Sequence, residues 1–541
     1  MQSKFWPHLH EAEIKEVASL KELQSWKLVP RHTVPKGQEV LRGRWVYAYK
    51  RDALGKVTKV KGRYTVDGGQ QTRGVDFMET YASTMSIKSF RIALAITKLN
   101  LYEEVEMDQW DAKCAYINSQ IEEGLRVYCR QPDGHVDPRY PHHVCLLMKN
   151  MYGLRQAGRG WQHFLKEICA EVGAEPIAVD PAVYLIVRGD GWCIVPTHVD
   201  DMFPCYNPAG KPLRDALLAA LQRRLTVTDD GPIHWALKCK VYRDRKAGVL
   251  KLSQESFVYE LLARYEMLDC TPADTPMDPS VILRGASEIS NEEVKEYSVY
   301  PIKELTGGLG WLAQISRPDI AVAWNTASQL QHRPSKECWD HLQRILRYLK
   351  KTPHWGLVYQ RPTDIAQVPL LELWADASLA PQIELNRGKS MIGHCFRFVG
   401  ALVAWTVMKS RRVLLSSAEA ECYALTEAQK ENVWQRDLQA CLGIFRVDEP
   451  TQAWEDNTAA ITLSASKVYH KRSKHFGMEW WFTRDAVQDG LLHNSYVPTE
   501  EQLADFLTKA LYKPLFEKFR ALLMGTEVDQ LYFGRLDPPV E

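Results

Sequence analysis

The feature that most constrains the fold is a pair of adjacent aspartates between two apolar runs. In residues 192–206 (WCIVPTHVDDMFPCY), this pattern predicts a β-hairpin whose turn carries Asp200 and Asp201. Adjacent carboxylates at a hairpin tip repel each other, so a bound cation is their natural compensation. Taken alone, such a pair is more often a solvated turn, so the hairpin leaves the chemistry open.

A third carboxylate adds to the metal interpretation. Asp111 lies in residues 105–118 (VEMDQWDAKCAYIN), where a short strand-like run passes into a helix-like segment. Phosphoryl transfer by two metal ions needs a carboxylate cluster that holds the ions about 3.5–4 Å apart. Asp111 and the Asp200–Asp201 pair would form such a cluster in an antiparallel sheet with Asp111 and Asp200 on adjacent strands. Sequence spacing alone does not show that they meet.

Four more acids are spread over the sequence after residue 366. They are Asp376 in LWADAS, Glu421 in SSAEAECYAL, Asp456 in AWEDNTAA and Asp505 in EQLADFLTKAL. Asp456 could cap the helix that follows it, and Asp505 opens a predicted C-terminal helix, so each also has a structural interpretation. Individually these acids are more often structural. Gathered together, they could hold two metal ions.

Composition excludes some classes of protein. The 68 Lys and Arg residues nearly balance the 67 Asp and Glu residues, which argues against a protein that coats nucleic acid by bulk charge. The 12 cysteines contain no CxxC pair, which predicts free thiols in a reducing compartment and argues against a zinc site. No apolar run approaches the ~20 residues of a membrane-spanning helix, so no membrane partner is expected.

The hydrophobic pattern divides the chain into four zones. Residues 1 to about 100 mix β-like runs with a helix-like stretch at 86–99, and residues 101 to about 270 alternate strand and helix patterns. Residues 271 to about 365 open with a proline-rich link and continue with helices such as 336–351. From 366 to about 515, strand-like runs precede a long amphipathic helix from 417 to about 441.

An ordered set of motifs extends from about residue 26 to residue 511. It comprises WVYAYKRDALGKVTKVKGRYTVDGGQQTRGVDFMETYASTM, DAKCAYINSQIEEGLRVYCRQPDG, LMKNMYGLRQAGRGW, HVDD, LSQESFVYELLARYEM, TPM, RPDI, RILRYLKKT, SSAEAE, EDNTAAI, HKRSKH and TEEQLADFLTK. In wording and order, these motifs resemble the reverse transcriptase and ribonuclease H region of copia-type (Pseudoviridae) retrotransposon Pol polyproteins. A chance match of so many ordered motifs is very improbable.

The resemblance implies an α+β fold. A right-hand polymerase with fingers, thumb and an antiparallel palm sheet would be followed by a mixed α/β ribonuclease H-like domain. The expected boundaries are 1–270 for fingers and palm, 271–365 for the thumb or connection, 366–515 for the ribonuclease H-like domain and 516–541 for a peripheral C-terminal tail.

The resemblance also implies roles for the acids. Asp111, Asp200 and Asp201 would hold two Mg²⁺ ions, assisted by the backbone carbonyl of Ala112. In the second group, the order Asp376, Glu421, Asp456, Asp505 matches that of the ribonuclease H fold. Glu419 is an alternative to Glu421. Glu421 is preferred because the Cys-Tyr-Ala that follows it matches the family's spacing to a buried alanine.

Substrate-binding residues are implied in the same way. Lys61 and Arg63 would neutralise the incoming triphosphate, Tyr116 would exclude a ribose 2′-hydroxyl, and Gln156 would lie against the nucleotide and template. A solvated strand edge is the alternative for the two cations, and core packing is the alternative for Tyr116. The basic stretch 467–475 would hold the phosphates of a hybrid.

The implied function is an RNA-directed DNA polymerase joined to a ribonuclease that cleaves the RNA of RNA/DNA hybrids. Two Mg²⁺ ions at each site are expected, with Mn²⁺ as an alternative. The implied partners are an RNA template, a DNA primer, the RNA/DNA hybrid, deoxynucleoside triphosphates and other Pol or Gag products. The expected location is a cytoplasmic virus-like particle, with the nucleus as an alternative because basic clusters such as 409–412 also suit nuclear signals.

Several positions depart from the family pattern. They are His198, Gly158, Lys238, Ser378, Gly477, Trp481 and residues 64–66. Lys238 replaces a glycine and puts the primer-gripping hairpin in doubt. A decayed or domesticated copy that only binds nucleic acid is therefore the alternative function. The seven candidate carboxylates are all retained, which favours an active enzyme.

Overall fold

The computed structural model describes residues 6–51, 57–99, 104–364, 367–444, 448–466 and 479–528. The chain separates into two compact units. The first comprises Met1–Ser86 and Asp108–Gly231, and the second comprises Ile87–Met107 and Pro232–Glu541. The domain boundaries expected near residues 270, 365 and 515 stay predictions.

Helices occur in both units. In chain order, the described helices are α1 (Trp6–Glu22), α2 (Ile87–Leu99), α3 (Ala115–Asn118), α4 (Ala157–Ala170), α5 (Lys211–Arg224), α6 (Glu255–Arg264), α7 (Asn291–Tyr297), α8 (Ile302–Ile315), α9 (Ala321–Leu330), α10 (Lys336–Lys351), α11 (Ile383–Asn386), α12 (Ser417–Leu442), α13 (Thr458–Ala465), α14 (Glu479–Gln488) and α15 (Lys513–Met524). The helices predicted at 86–99, 336–351 and 417–441 are confirmed as α2, α10 and α12.

Strands are short and numerous. In chain order, the described strands are β1 (Trp26–Pro30), β2 (Val40–Leu41), β3 (Gly43–Arg51), β4 (Val57–Val66), β5 (Glu106–Ala112), β6 (Tyr128–Cys129), β7 (His143–Leu147), β8 (Glu175–Pro176), β9 (Val183–Arg188), β10 (Gly191–His198), β11 (Asp201–Met202), β12 (Cys205–Tyr206), β13 (Val227–Pro232), β14 (Trp235–Ala236), β15 (Cys239–Asp244), β16 (Val249–Ser253), β17 (Gly356–Gln360), β18 (Leu371–Ser378), β19 (Met391–Phe398), β20 (Ala401–Lys409), β21 (Thr451–Glu455) and β22 (Leu492–Tyr496).

The palm sheet takes the order β11–β5–β12–β10–β9–β8, with β13 beside β5. Strand β11 pairs antiparallel with both β10 and β5, and β9 pairs antiparallel with β10. Trp161 and Leu165 of α4 lie one helical turn apart, as do Leu217 and Leu221 of α5. All four join Trp110 of β5 in one buried cluster, so both helices cover the same sheet.

Two smaller β structures complete the first unit. Strands β3 and β4 form an antiparallel hairpin, and β1, β7, β6 and β2 form a separate sheet. Leu20 of α1, Tyr64 of β4 and Leu147 of β7 belong to one buried cluster, which joins the helix to both structures. This arrangement supplies a rigid support for the exposed side chains of β4.

The second unit contains the antiparallel sheet β14–β15–β16–β17 and the helices α6 to α10. Leu237 and Lys238 connect β14 to β15 with φ of 52° and 60°, so both adopt the left-handed conformation of a type I′ turn. The hairpin therefore forms with Lys238 in place of glycine. Ser335 caps the N-terminus of helix α10, and its hydroxyl accepts the Cys338 N–H at 3.3 Å.

A mixed sheet of order β20–β19–β18–β21–β22 lies in the same unit. Strand β18 is antiparallel to β19 and parallel to β21, and β21 is parallel to β22. Helix α12 packs on β18 and β19. This sheet and helix form the expected mixed α/β architecture, and the carboxyl ends of β18 and β21 carry Asp376 and Asp456 near one edge.

Two expectations about the C-terminal region are wrong. Asp505 does not open an α-helix but lies inside the short 3₁₀ helix Leu503–Leu507. The segment after residue 515 was expected to be a peripheral tail. Up to Met524 it instead belongs to α15, whose Phe516, Phe519 and Leu523 are buried. The 12 cysteines are free thiols, as predicted. Among the described residues, no helix combines the length and apolar character needed to cross a bilayer.

Candidate active sites

Cross-strand pairing brings the three palm acids together. Asp201 is the register partner of Asp111 across β11 and β5, and the Asp200 carbonyl accepts the Ala112 N–H at 2.9 Å. The expectation that Asp200 lies on a strand beside Asp111 is wrong in this detail. Asp200 occupies the turn between β10 and β11, and Asp201 is the strand residue.

The acidic turn is held in an unusual backbone conformation. Val199 has φ of 56°, in the left-handed region that β-branched residues rarely adopt. The indole Nε1 of Trp161 donates a hydrogen bond to the Val199 carbonyl at 2.9 Å. The helix beneath the sheet therefore fixes the turn that presents both aspartates.

The palm acids share one electrostatic environment. Burial raises the pKa of Asp200, while Arg63 lowers it and Asp111 raises it further. Burial also raises the pKa of Asp201 to about 6, with Asp200, Asp111 and Asp230 adding to the effect. The half-buried acids therefore repel one another, and a cation bound between them would relieve this repulsion.

The aromatic ring of Tyr152 connects Arg63 to Tyr116. The Arg63 guanidinium lies 5.1 Å above the Tyr152 ring, and Tyr152 meets Tyr116 edge-on at 6.0 Å. Gly153 has φ of 91°, and a Cβ there would lie 2.1 Å from the Val66 carbonyl oxygen. A glycine at this position lets Tyr152 approach β4, which places its ring between Arg63 and the palm.

The other two predicted substrate-binding residues differ in their surroundings. Lys61 is exposed and precedes Arg63 by two positions on β4, so both side chains project from the same face. Gln156 is buried. Its side-chain Oε1 accepts a hydrogen bond from the Gln71 side chain at 3.0 Å, and its side-chain Nε2 donates to the backbone carbonyl of Asp76 at 3.2 Å. Its contact with a nucleotide stays a prediction.

The fold also gathers the second group of acids. One carboxylate oxygen from each of Asp376, Glu421 and Asp456 lies within 4.8 Å of the others, an arrangement that could hold a divalent cation. Glu421 accepts the Ala377 N–H at 2.8 Å, which ties α12 to β18. The hydroxyl of Thr508 donates to Asp376.

Asp505 joins this group through the 3₁₀ helix Leu503–Leu507. Its charge helps raise the pKa of Asp376, and its carboxylate forms an ion pair with Lys509 at 2.7 Å. The segment can approach β19 because Gly393 has no side chain. A Cβ there would lie 2.8 Å from the Leu507 Cβ.

Burial dominates the electrostatics of this cluster. Burial raises the pKa of Asp376, with the charge of Asp505 adding to the shift. The pKa of Glu421 is also raised, by burial first and then by Asp376. Such a group favours either protonated carboxyls or a bound cation.

Comparisons with known proteins show what the chain is similar to. The family model "Reverse transcriptase (RNA-dependent DNA polymerase)" matches residues 23–279. The Pol polyprotein from transposon TNT 1-94 of Nicotiana tabacum is 31% identical over 517 residues, which cover 95% of this chain and 38% of that protein. The Pol polyprotein from transposon RE1 of Arabidopsis thaliana is 31% identical over 508 residues, covering 93% of this chain and 33% of that protein.

This chain belongs to the copia-type retrotransposon Pol polyproteins. It spans about a third of the length of these two curated relatives. A solved foamy viral protease–reverse transcriptase in complex with double-stranded DNA has a TM-score of 0.50 and 10% identity, over 90% of this chain and 69% of that chain. The predicted fold class of this Pol chain is confirmed.

The structure of the Pol chain adds residues that the motifs did not single out. Asp230 follows β-like residues in TVTDDGP and raises the pKa of Asp201. Glu455 is fully buried beside Asp456, and its Oε2 has no hydrogen-bond partner among the described residues. The alternating burial of β21 points Glu455 inward, so strand periodicity could have identified it.

The structure of the Pol chain also shows the local roles of Glu419, the alternative to Glu421, and of Asp456, the possible helix cap. Glu419 accepts the Leu415 N–H at 2.8 Å and lies at the start of α12, so it serves the helix end rather than the acid cluster. Asp456 does not cap α13, because the Asn457 side chain accepts the Ala459 and Ala460 N–H groups. The basic stretch 467–475 lies outside the described residues.

Proposed function

We propose that this Pol chain synthesises DNA on an RNA template and cleaves the RNA of the resulting RNA/DNA hybrid. The observation that carries the proposal is the presence of one crowded carboxylate group in each unit. The first comprises Asp111, Asp200 and Asp201, and the second comprises Asp376, Glu421, Asp456 and Asp505. Two separate acid clusters suit two separate phosphoryl-transfer reactions.

Divalent cations fit both groups on the chemistry of the donors. Neighbouring carboxylates help raise the pKa of Asp201 in the first group and of Asp376 in the second, and Glu455 offers a buried oxygen without a hydrogen-bond partner among the described residues. We assign two Mg²⁺ ions to each group, with Mn²⁺ as an alternative, because hard oxygen ligands suit both ions. When bound, the ions supply Lewis-acid activation of the attacking hydroxyl or water.

The surrounding residues bind and orient the substrate. Arg63 and Lys61 would contact the triphosphate, because both project from the same face of β4 and Arg63 lies near Asp200. Tyr116 would pack under the sugar, since its ring lies close enough to Asp200 for the two groups to interact. Gln156 would support the template side through its buried contacts with Gln71 and Asp76.

The proposed assignment of regions keeps 1–270 as fingers and palm, 271–365 as thumb or connection and 366–515 as the ribonuclease H-like domain. The substrates would be an RNA template, a DNA primer, deoxynucleoside triphosphates and the RNA/DNA hybrid. Other Pol or Gag products are proposed partners, and a cytoplasmic virus-like particle is the proposed location.

Primer extension tests the proposal. The full chain, a DNA primer on poly(rA), dTTP and Mg²⁺ should give extended products, and EDTA or Asp111→Asn should abolish them. The Asp111→Asn protein should keep its circular dichroism spectrum, because only one half-buried carboxylate is changed. Binding of the primer–template without extension would instead support the domesticated copy that only binds nucleic acid.

A further inference from the structure

A second kind of polar cluster lies in the first unit, apart from the palm acids. His10 Nδ1 lies 3.4 Å from Glu13 Oε2, and His135 Nε2 lies 3.0 Å from the same oxygen. One ligand atom from each of the three residues lies within 4.8 Å of the others. The Glu13 side chain is 3% exposed and that of His135 is 12% exposed, whereas His10 is 45% exposed.

The secondary structure explains why two of these residues converge. His10 and Glu13 are three positions apart on α1, so they share one face of the helix. Tyr47 of β3 donates a hydrogen bond to the other carboxylate oxygen of Glu13. Burial would raise the pKa of Glu13, but hydrogen bonds from Tyr47, His135 and His10 bring it below its usual value.

The third residue is held by its own loop. The His135 N–H donates to the Pro132 carbonyl at 2.9 Å, and Trp45 Nε1 donates to the Asp133 carbonyl at 3.1 Å. The Trp45 ring also meets the His135 ring edge-on at 5.6 Å. The imidazole of His135 is therefore positioned before any ligand arrives.

The spacing of the two imidazoles suits a single ion. Their ring centroids are 5.4 Å apart. Two imidazoles that bind one tetrahedral Zn²⁺ through bonds of about 2.0–2.1 Å place their centroids roughly 5 Å apart. Two histidines and one glutamate are a ligand set that Zn²⁺ uses with water in the fourth position, and the exposed side of His10 leaves room for that water.

We propose that His10, Glu13 and His135 form a Zn²⁺ site that links α1 to the loop between β6 and β7. The mixed nitrogen and oxygen ligands favour Zn²⁺ over the Mg²⁺ proposed for the acid clusters. Tyr47 orients Glu13 as an outer hydrogen-bond partner of the ligand. Cysteine spacing gave no sign of this site, because its ligands are two histidines and a glutamate, and His135 is far from the other two in sequence.

Metal titration of the full chain tests this proposal. After chelation and dialysis, Zn²⁺ should bind with one strong equivalent and raise the melting temperature, and excess Mg²⁺ should not compete. Co²⁺ in its place should give visible d–d absorption without sulfur-to-metal charge transfer, which distinguishes this site from binding to the 12 cysteines. A thiolate charge-transfer band on the strong equivalent would overturn the proposal.

Matched variants separate binding from folding. His10→Ala changes the most exposed ligand and should abolish the strong equivalent, whereas His8→Ala changes an exposed histidine on the same helix and should leave it intact. Tyr47→Phe should weaken Zn²⁺ binding by about tenfold. Metal-free His10→Ala should have the same melting temperature as the metal-free parent, which shows that it is folded. If this folded variant still binds Zn²⁺ as tightly as the parent, the proposed site is wrong and the cluster is only a buried glutamate neutralised by its neighbours.

Discussion

Val199 is a β-branched residue whose φ of 56° places it in the left-handed region directly before the two palm aspartates. This conformation costs about 1–2 kcal/mol for a residue with a Cβ. The hydrogen bond from Trp161 to the Val199 carbonyl stabilises it from the adjacent helix. At the scale of single residues, the palm sheet thus contains a strained backbone conformation directly before its two adjacent aspartates.

Tyr116 should decide which sugar is accepted. We propose that its ring lies under the sugar of the incoming nucleotide, so Tyr116→Val should remove the steric overlap with a 2′-hydroxyl. We expect the ratio of ribonucleotide to deoxyribonucleotide incorporation to rise by at least about tenfold, which corresponds to about 1.4 kcal/mol. Tyr116→Phe keeps the ring and should keep the ratio. An unchanged ratio in the valine variant would leave Tyr116 as a packing residue.

Asp201 should set the acid limit of DNA synthesis, with Asp230 contributing to it. Asp201 must be ionised to hold a cation, and its pKa of about 6 predicts loss of synthesis at limiting Mg²⁺ below about pH 6. Because Asp230 helps raise that pKa, Asp230→Asn should move the midpoint of this loss to lower pH.

The pH profile needs a charge-matched control. Asp190→Asn removes the same charge from an exposed position at the opposite end of the β9–β10 hairpin, and it should leave the midpoint in place. Rates measured from pH 5 to 7.5 at subsaturating Mg²⁺ give both midpoints. Equal midpoints for Asp230→Asn and the parent would show that Asp230 does not act on Asp201.

At the scale of elements, the RPDI motif joins helices of the second unit. Arg317 is fully buried and forms an ion pair with Asp319 at 2.8 Å. It also donates to the Thr352 carbonyl at the end of α10, and Tyr348 donates to Asp319 at 2.7 Å. The motif therefore has a structural role, because it connects the segment after α8 to α10.

Removing the negative charge of the Arg317–Asp319 pair should destabilise the folded protein. Asp319→Asn would leave Arg317 buried without a counter-charge, and we expect the free energy of unfolding to fall by roughly 3–5 kcal/mol. Urea unfolding followed by tryptophan fluorescence measures the change. As a control, Asp340→Asn breaks an exposed ion pair with Lys336 within α10. It should lower the free energy of unfolding by less than about 0.5 kcal/mol. Similar losses in the two variants would contradict this reasoning.

At the scale of the whole molecule, the two acid clusters fall in different units, so their reactions should be separable. Asp200→Asn should abolish DNA synthesis and leave cleavage of RNA in a hybrid. Glu421→Gln should abolish that cleavage and leave synthesis, since it changes a carboxylate of the other cluster. Primer extension and hybrid cleavage are measured on the same preparations.

Folding controls make the separation interpretable. Both substitutions are isosteric and remove one carboxylate, so each variant should keep the circular dichroism spectrum of the parent. Either substitution eliminating both activities in a folded protein would show that the two clusters do not act as independent sites.

Sequence alone predicted several of the elements and singled out seven candidate acids. Apolar periodicity is a local property, so it predicted α2, α10, α12 and the acidic hairpin. Ordered motifs indicated the seven carboxylates because the chemistry of metal binding restricts residue type. These features depend on neighbours along the chain, and they required no knowledge of packing.

Tertiary structure decided which polar groups meet and which are buried. It placed Asp201, rather than Asp200, on the strand beside Asp111, assigned the cap of α13 to Asn457 and added Glu455 to the acid cluster. It also joined His10 and Glu13 to His135, residues that no local pattern connects. Distance and burial arise from contacts between segments remote in sequence, and the pKa of each group follows from them.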